Sequence, residues 1–378
     1  MMPMLQRELA ERIERMGWIG RDRHIVRTAM TKRVSVLRTL GRRAAVVLGL
    51  LALAPGLFLL VAAVVSPRSA GQPLAAQLHL PHPAVIAHRG LSFWAPEETR
   101  AAYLLARAIG ADYLEADVQR TRDGVLIALH DETLERTTDV ARVFPARRGS
   151  GPAEFTWAEL QQLDAGSWWN AAHPDRARPA YVGLRILRLE ELLDIAGSRS
   201  AAAPAPGVYL ETKDPEKYPG YERELVALLR ARGLHTAAPV GGAAPVVFQS
   251  FDQASLARLR ELAPEVPRVL LLEHGRRDGR EPPRWDLLLG QARALGVGIG
   301  PSGYEGMPWH TGPAHRAGLV VHHYTVNEEW QLRLLRQLGS DGVFTDTADL
   351  ALEVFGRGGH EPDARQKALR AAFQATGL

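Results

Sequence analysis

Apolar and polar positions alternate along this chain on two length scales. Short apolar runs at residues 84–87, 113–118, 208–210, 246–248, 269–272, 297–299, 319–324 and 343–344 are too brief for helices and read as buried strands. Between several of them lie stretches of helical period, such as TRAAYLLARAIG, DQASLARLRELA and NEEWQLRLLRQLG, each closed by Gly or followed by the next strand. Eight strand candidates with intervening helices over about 260–270 residues predict an α/β fold, a parallel (β/α)8 TIM barrel. A doubly wound open sheet would share the alternation, but no Gly-rich dinucleotide fingerprint follows the first strand. One connection is too long for the simple pattern. Residues 131–206, with Trp168, Trp169 and several Pro and Gly, predict an insertion after the second strand that covers the barrel mouth.

The longest apolar run lies ahead of the barrel. Residues 44–65, AAVVLGLLALAPGLFLLVAAVV, carry no charge over 22 positions, enough to cross a hydrocarbon core of roughly 30 Å. A signal-peptide core is shorter, about 7–15 residues, and ends in a small-residue cleavage site, whereas this run leads into SPRSAG. The expectation is an uncleaved transmembrane anchor, with a cleaved signal segment and a buried core helix as the alternatives. The resulting organisation is a basic cytoplasmic segment (1–43), the anchor (44–65), a linker rich in Pro, Ala and Gln (66–83), the barrel (84–355) and a C-terminal tail (356–378) that carries a short helix from Asp363 onward.

Charge sharpens this division. The formal net charge is +4, but residues 1–43 hold eleven Lys or Arg against four Asp or Glu, so the rest of the chain is net acidic. Nucleic-acid binding by the barrel loses its support. The basic flank on the N-terminal side places residues 1–43 in the cytoplasm and the barrel outside, at the cell membrane or secreted if the segment is cleaved. The chain has no cysteine, which excludes disulfides, thiolate metal sites and a Cys nucleophile.

Functional groups of a barrel sit at the C-terminal ends of its strands. The first strand ends in His88-Arg89. In the second, DYLEADVQ, the two-residue period puts Glu115 and Asp117 on one face. Burying two adjacent carboxylates is costly unless a cation neutralises them. The turn at Asp123-Gly124 folds a further strand back and returns His130 to the same end, and the strand GVYLETKDP brings Glu211 and Lys213. Carboxylates without thiolates point to one hard divalent cation, Mg²⁺ or Ca²⁺, held by Glu115, Asp117 and Glu211.

With these residues in place the chain resembles the glycerophosphodiester phosphodiesterases, whose signature is His-Arg, Glu-x-Asp and a further His. Here it stands as His88-Arg89, Glu115-Ala116-Asp117 and His130, and the likeness continues through APEET, HDETLERTTDV, RILRLEELLDIA, YLETK, FQSF, YTVN and DGVFTD, over nearly all of 84–350. RTTDVARVFPAR, GIGP and VVHHYTVN look most like the periplasmic or secreted bacterial branch. The resemblance implies metal-dependent hydrolysis of a small glycerophosphodiester to sn-glycerol 3-phosphate and an alcohol. His88 and His130 are then the acid–base pair, Arg89 and Lys213 bind the phosphate, and Glu97 orients the first strand end from behind. Three departures bear on substrate preference. Glu98 replaces the family's Asn, Leu187-Arg188 replaces a Pro-Thr pair, and Tyr324 stands where many members have Trp. The competing readings are a phospholipid-directed lyase, sphingomyelinase-D-like or phosphatidylinositol-specific, on a related barrel, and a non-catalytic binding protein. Cell-wall glycerol-phosphate polymers are a further candidate substrate, and no obligate protein partner is inferred.

Overall fold

The computed structural model describes residues 69–378 other than 199–203, 236–242, 274–283, 297, 358, 360 and 362, with scattered positions between 53 and 67. The basic segment, and much of the apolar run predicted to be an anchor, lie outside the described residues. Among those described, no helix is long and apolar enough to cross a membrane. The fold below is that of the compact unit that begins at residue 62.

Among the described residues ten strands occur, in the order β1 (Ala84–Ala87), β2 (Tyr113–Arg120), β3 (Leu126–Ala128), β4 (Leu187–Arg188), β5 (Gly207–Thr212), β6 (Val246–Ser250), β7 (Arg268–Leu271), β8 (Gly298–Gly300), β9 (Val320–His323) and β10 (Gly342–Thr345). Eight of them, all but β3 and β4, pair in parallel. The sheet closes because β1 pairs with β10 on one side, Ala84↔Gly342 through Ala87↔Thr345, and with β2 on the other, Ile86↔Tyr113. Each strand candidate in the sequence is a barrel strand, shifted by two residues at most at either end.

The two-residue period divides the strands as a barrel requires. Ile86, Tyr113, Tyr209, Val247, Val269, Val320 and Phe344 pack together inside. Their neighbours Val85, Leu114, Leu210, Phe248, Leu270, Val321 and Val343 face the helices. Gly207 makes room for this interior, since a Cβ there would lie 2.4 Å from the Tyr113 ring.

Two expected boundaries change. The connection read as an insertion over 131–206 ends earlier, because the helix Leu189–Gly197 packs on β5 and on the helix Arg100–Ala108 as a barrel helix. Its amphipathic period was hidden behind the Pro- and Gly-rich stretch before it. The insertion proper starts on β3, antiparallel to β2, carries β4 on the far side of β3, and encloses its own small core around Leu134, Phe155, Leu160 and Ile186. Residues 66–83, read as a linker, contain the helix Gln72–Gln77, and Ala75 and Leu80 are buried against the barrel interior. The tail forms its helix where expected, Ala364–Thr376 after the N-cap Asp363, and this helix packs on Arg100–Ala108 and buries Phe373 beneath Arg178.

Candidate active site

Backbone geometry at the end of β1 sets the site. His88 N donates to Thr345 O at 3.1 Å, and Arg89 then turns with φ +54°, its N donating to Glu115 Oε2 at 2.7 Å. Gly90 has φ +86°, and a Cβ there would stand 2.7 Å from the backbone of Ala102, so only glycine completes this turn. The His-Arg-Gly run is thus a tight turn that throws two side chains over the barrel mouth.

Glu115, Asp117 and Glu211 meet as expected. Each offers an oxygen within 4.8 Å of the others, and all three are buried. Burial, then repulsion by Asp117 and Glu211, lifts the Glu115 carboxyl well above the carboxylate range. Burial and Asp117 lift Glu211 to about 8. Burial would lift Asp117 too, but Lys213 and Arg89 hold it well below. Three acids this close share a shortage of positive charge. The donor set also fits a hard cation. Asp117 Oδ2 and Gln249 Oε1 are buried without a hydrogen bond, and Gln249 Nε2 donates to Glu115 Oε1 at 3.0 Å. Gln249 was not singled out in the sequence, although its strand was.

Both proposed phosphate binders are committed to this acid cluster. Lys213 Nζ lies 3.1 Å from Glu211 Oε1 and 3.6 Å from Asp117 Oδ1. Arg89 donates from Nη1 to Glu97 Oε1 at 2.8 Å and pairs through Nε with Asp117 Oδ2 at 3.4 Å. Glu97 therefore stands behind Arg89 as expected. Arg136, from the insertion, also donates to both Glu97 oxygens at 2.7 Å. Burial would raise the Glu97 carboxyl, but the Arg136 hydrogen bonds and the Arg89 charge bring it below its usual range.

The two histidines face the same chamber, each with a carboxylate behind it. His88 Nδ1 is 2.7 Å from Asp346 Oδ1, and Asp346 is fixed in turn by Asn327 Nδ2 at 2.6 Å and Ser92 Oγ at 3.0 Å. His130 Nδ1 is 2.7 Å from Asp131 Oδ1, whose carboxylate takes Arg136 Nε at 2.5 Å. A carboxylate at Nδ1 fixes the tautomer and leaves Nε2 for the substrate. His130 arrives because β3 folds back along β2, Leu129 N donating to Asp117 O at 2.9 Å. Gln119 Nε2 pins the segment by donating to Leu129 O and Asp131 O at 2.7 and 2.8 Å. The sequence did not mark Asp346, Asp131, Arg136 or Asn327. Asp346 was within reach, since barrel closure sets the last strand beside the first.

Glu98 is a fourth buried acid. Its Oε1 accepts from Asp117 N at 2.8 Å, its Oε2 has no hydrogen bond, and burial followed by Asp117 and Glu115 raises its carboxyl well above the usual range.

Known proteins resemble this chain over most of its length. A glycerophosphodiester phosphodiesterase of Bacillus subtilis is 37% identical over 310 residues, 82% of this chain and 97% of that protein. One from Caldanaerobacter subterraneus is 29% identical over 73% of this chain and 98% of that protein. Among solved structures, an Oleispira antarctica phosphodiesterase in complex with the product sn-glycerol-3-phosphate aligns with TM-score 0.56 and 28% identity, covering 73% of this chain and 97% of that one. A glycerophosphodiester phosphodiesterase from Agrobacterium tumefaciens aligns with TM-score 0.51 and 26% identity, over 71% and 99%. Residues 88–350 match the glycerophosphoryl diester phosphodiesterase family as a whole, and the chain belongs to it.

Proposed function

We propose that this enzyme, a glycerophosphodiester phosphodiesterase, hydrolyses its substrates to sn-glycerol 3-phosphate and an alcohol with the help of one divalent cation, Mg²⁺ or Ca²⁺. The observation that carries the reading is the buried triad Glu115, Asp117 and Glu211 set below two carboxylate-backed histidines. When bound by the triad, the cation supplies positive charge to a phosphoryl oxygen. Arg89 and Lys213 add fixed charge beside it, and the ion pairs that hold them mean that neither must be reoriented during the reaction. One histidine Nε2 takes the proton of the attacking oxygen and the other gives a proton to the departing alkoxide, so the P–O bond breaks to a neutral alcohol. The attacking oxygen is water, or the substrate's glycerol hydroxyl in a first step whose cyclic phosphate water then opens.

The test is turnover of glycerophosphodiesters, followed by phosphorus NMR, with EDTA and after Mg²⁺ or Ca²⁺ is restored. Loss and recovery of sn-glycerol 3-phosphate formation supports the reading. Full activity in EDTA removes the cation from it, and a cyclic phosphate as the end product replaces hydrolysis with a lyase reaction.

A further inference from the structure

The two histidines reach the chamber with different support. Asp346, behind His88, is held by neutral donors of the barrel, Asn327 Nδ2 at 2.6 Å and Ser92 Oγ at 3.0 Å. Asp131, behind His130, is held by a cation of the insertion. Arg136 Nε donates to Asp131 Oδ2 at 2.5 Å, and Nη2 donates to Oδ1 at 2.9 Å. The same guanidinium donates from Nη1 to Glu97 Oε2 and from Nη2 to Glu97 Oε1, both at 2.7 Å. Glu97 lies between β1 and the helix Arg100–Ala108, and Asp131 follows β3. Carboxylates of two separate loops thus share one planar fork, a geometry that a lysine ammonium does not reproduce.

Neither carboxylate ends there. Asp131 Oδ1 also meets His130 Nδ1 at 2.7 Å, and Glu97 Oε1 also accepts from Arg89 Nη1 at 2.8 Å. Each stands between Arg136 and a group that faces the chamber. Arg136 is itself firmly mounted. It lies between Leu134 and Val140, both fully buried in the insertion's own core. Thr138 closes that turn, its Oγ1 donating to Leu134 O at 2.6 Å and accepting from Val140 N at 3.2 Å. Behind the guanidinium, the Trp168 ring centre is 5.7 Å from Cζ, within cation–π reach. Yet 43% of the Arg136 side chain is exposed, and ion pairs this open add little to stability. A rigid cation with four hydrogen bonds and little stability to give suits a positioning role.

We infer that Arg136 is a positioning residue: it orients the His130 ring through Asp131 and the Arg89 guanidinium through Glu97, so one side chain of the insertion sets a proton-transfer group and a phosphate binder in a single frame. On the hydrolytic reading above, on which this inference rests, the insertion then completes the site as well as covering it. Without Arg136, Asp131 and Glu97 each lose two hydrogen bonds. The His130 ring is freer to turn, and the undivided Glu97 charge falls on Arg89, which leaves less positive charge for an anion.

Arg136→Ala should therefore melt near the wild-type temperature while kcat falls about 10–100-fold. Inorganic phosphate, titrated with Mg²⁺ present, should bind about threefold more weakly, the size of a partly exposed charge pair. Arg136→Lys keeps the charge without the fork and should recover little of the kcat. Because the position is half-exposed, guanidinium chloride added to Arg136→Ala should restore kcat saturably, and ammonium chloride at the same ionic strength should not; a site that is merely misfolded answers to neither salt. Asp131→Asn should cost less kcat on top of Arg136→Ala than on its own, because both act on one ring. Wild-type kcat in Arg136→Ala, or a loss that guanidinium leaves unrestored, overturns the inference and leaves hydrolysis standing. A wild-type protein that turns over no diester removes the hydrolytic reading instead. The phosphate titration then decides the inference alone, and an unchanged affinity in Arg136→Ala overturns it.

Discussion

At the scale of single residues, the acid–base pair and its supports give the sharpest expectations. A positioned acid or base contributes about 10²–10⁴-fold, so His88→Ala and His130→Ala should each lower kcat by that much while cation binding persists. An aryl leaving group needs little protonation. On an aryl diester the variant lacking the general acid should recover most of its rate and the variant lacking the base should not, which assigns the two roles. Asp346→Asn keeps the shape but exchanges the acceptor behind His88 Nδ1 for an amide, and should cost roughly 10–100-fold in kcat with KM little changed. Near wild-type kcat in either alanine variant would make that histidine structural. Glu98 offers a test of the opposite sign. It sits at φ +57°, a conformation that asparagine tolerates and glutamate does not favour, and it buries an acid beside two others. Glu98→Asn should therefore raise stability by about 1 kcal/mol in urea unfolding; a loss of stability would show that the longer side chain is needed to reach Asp117 N.

At the scale of elements, the strands were legible and the pieces that close the barrel were not. Strand positions follow from short apolar runs, which is why Ala84–Ala87 was placed to the residue and the triad on β2 and β5 was found. Gln72–Gln77 is only six residues long and rich in Ala and Gln, so no period could show in it. Its role comes from tertiary packing of Ala75 and Leu80. Arg136 was likewise invisible, because its partners Glu97 and Asp131 become neighbours only through the fold of the insertion. Leu80 is 6% exposed. Leu80→Ala should cost about 2–4 kcal/mol of unfolding free energy, with kcat untouched, because the packing it loses surrounds Ala84 at the start of β1 while the catalytic groups follow its end. A fall in kcat without a fall in stability would mean instead that the segment communicates with the mouth.

At the scale of the whole molecule, the histidines of β9 make stability pH-dependent. Burial lowers His322 to about 4 and His323 to about 3, and Asp341, though buried, is brought to about 2 by His315 and His82. In each case the unfolded chain takes up a proton before the folded one, so stability is full above about pH 6.5 and is lost as pH falls through these values. Unfolding free energy should drop by roughly 2 kcal/mol or more between pH 7 and pH 4, and replacing both β9 histidines with Gln should flatten that slope; an unchanged slope would place the acid-sensitive groups elsewhere. For the charge-free run at 44–65 we propose an anchor that leaves the barrel outside the cell, so protease added to intact cells should digest the barrel and spare residues 1–43, whereas a mature protein lacking residues 1–65 would identify a cleaved signal. The pairing of His88 with Asp346 spans 258 residues and joins the first barrel strand to the last. Since ribosomes add on the order of 5–20 residues per second, tens of seconds separate the synthesis of the two partners. The supported acid–base pair exists only once the final strand has emerged and closed the sheet on β1, so full turnover reports completion of the protein, and a fragment cut short before β10, left with an open sheet and without Asp346, should show none of it.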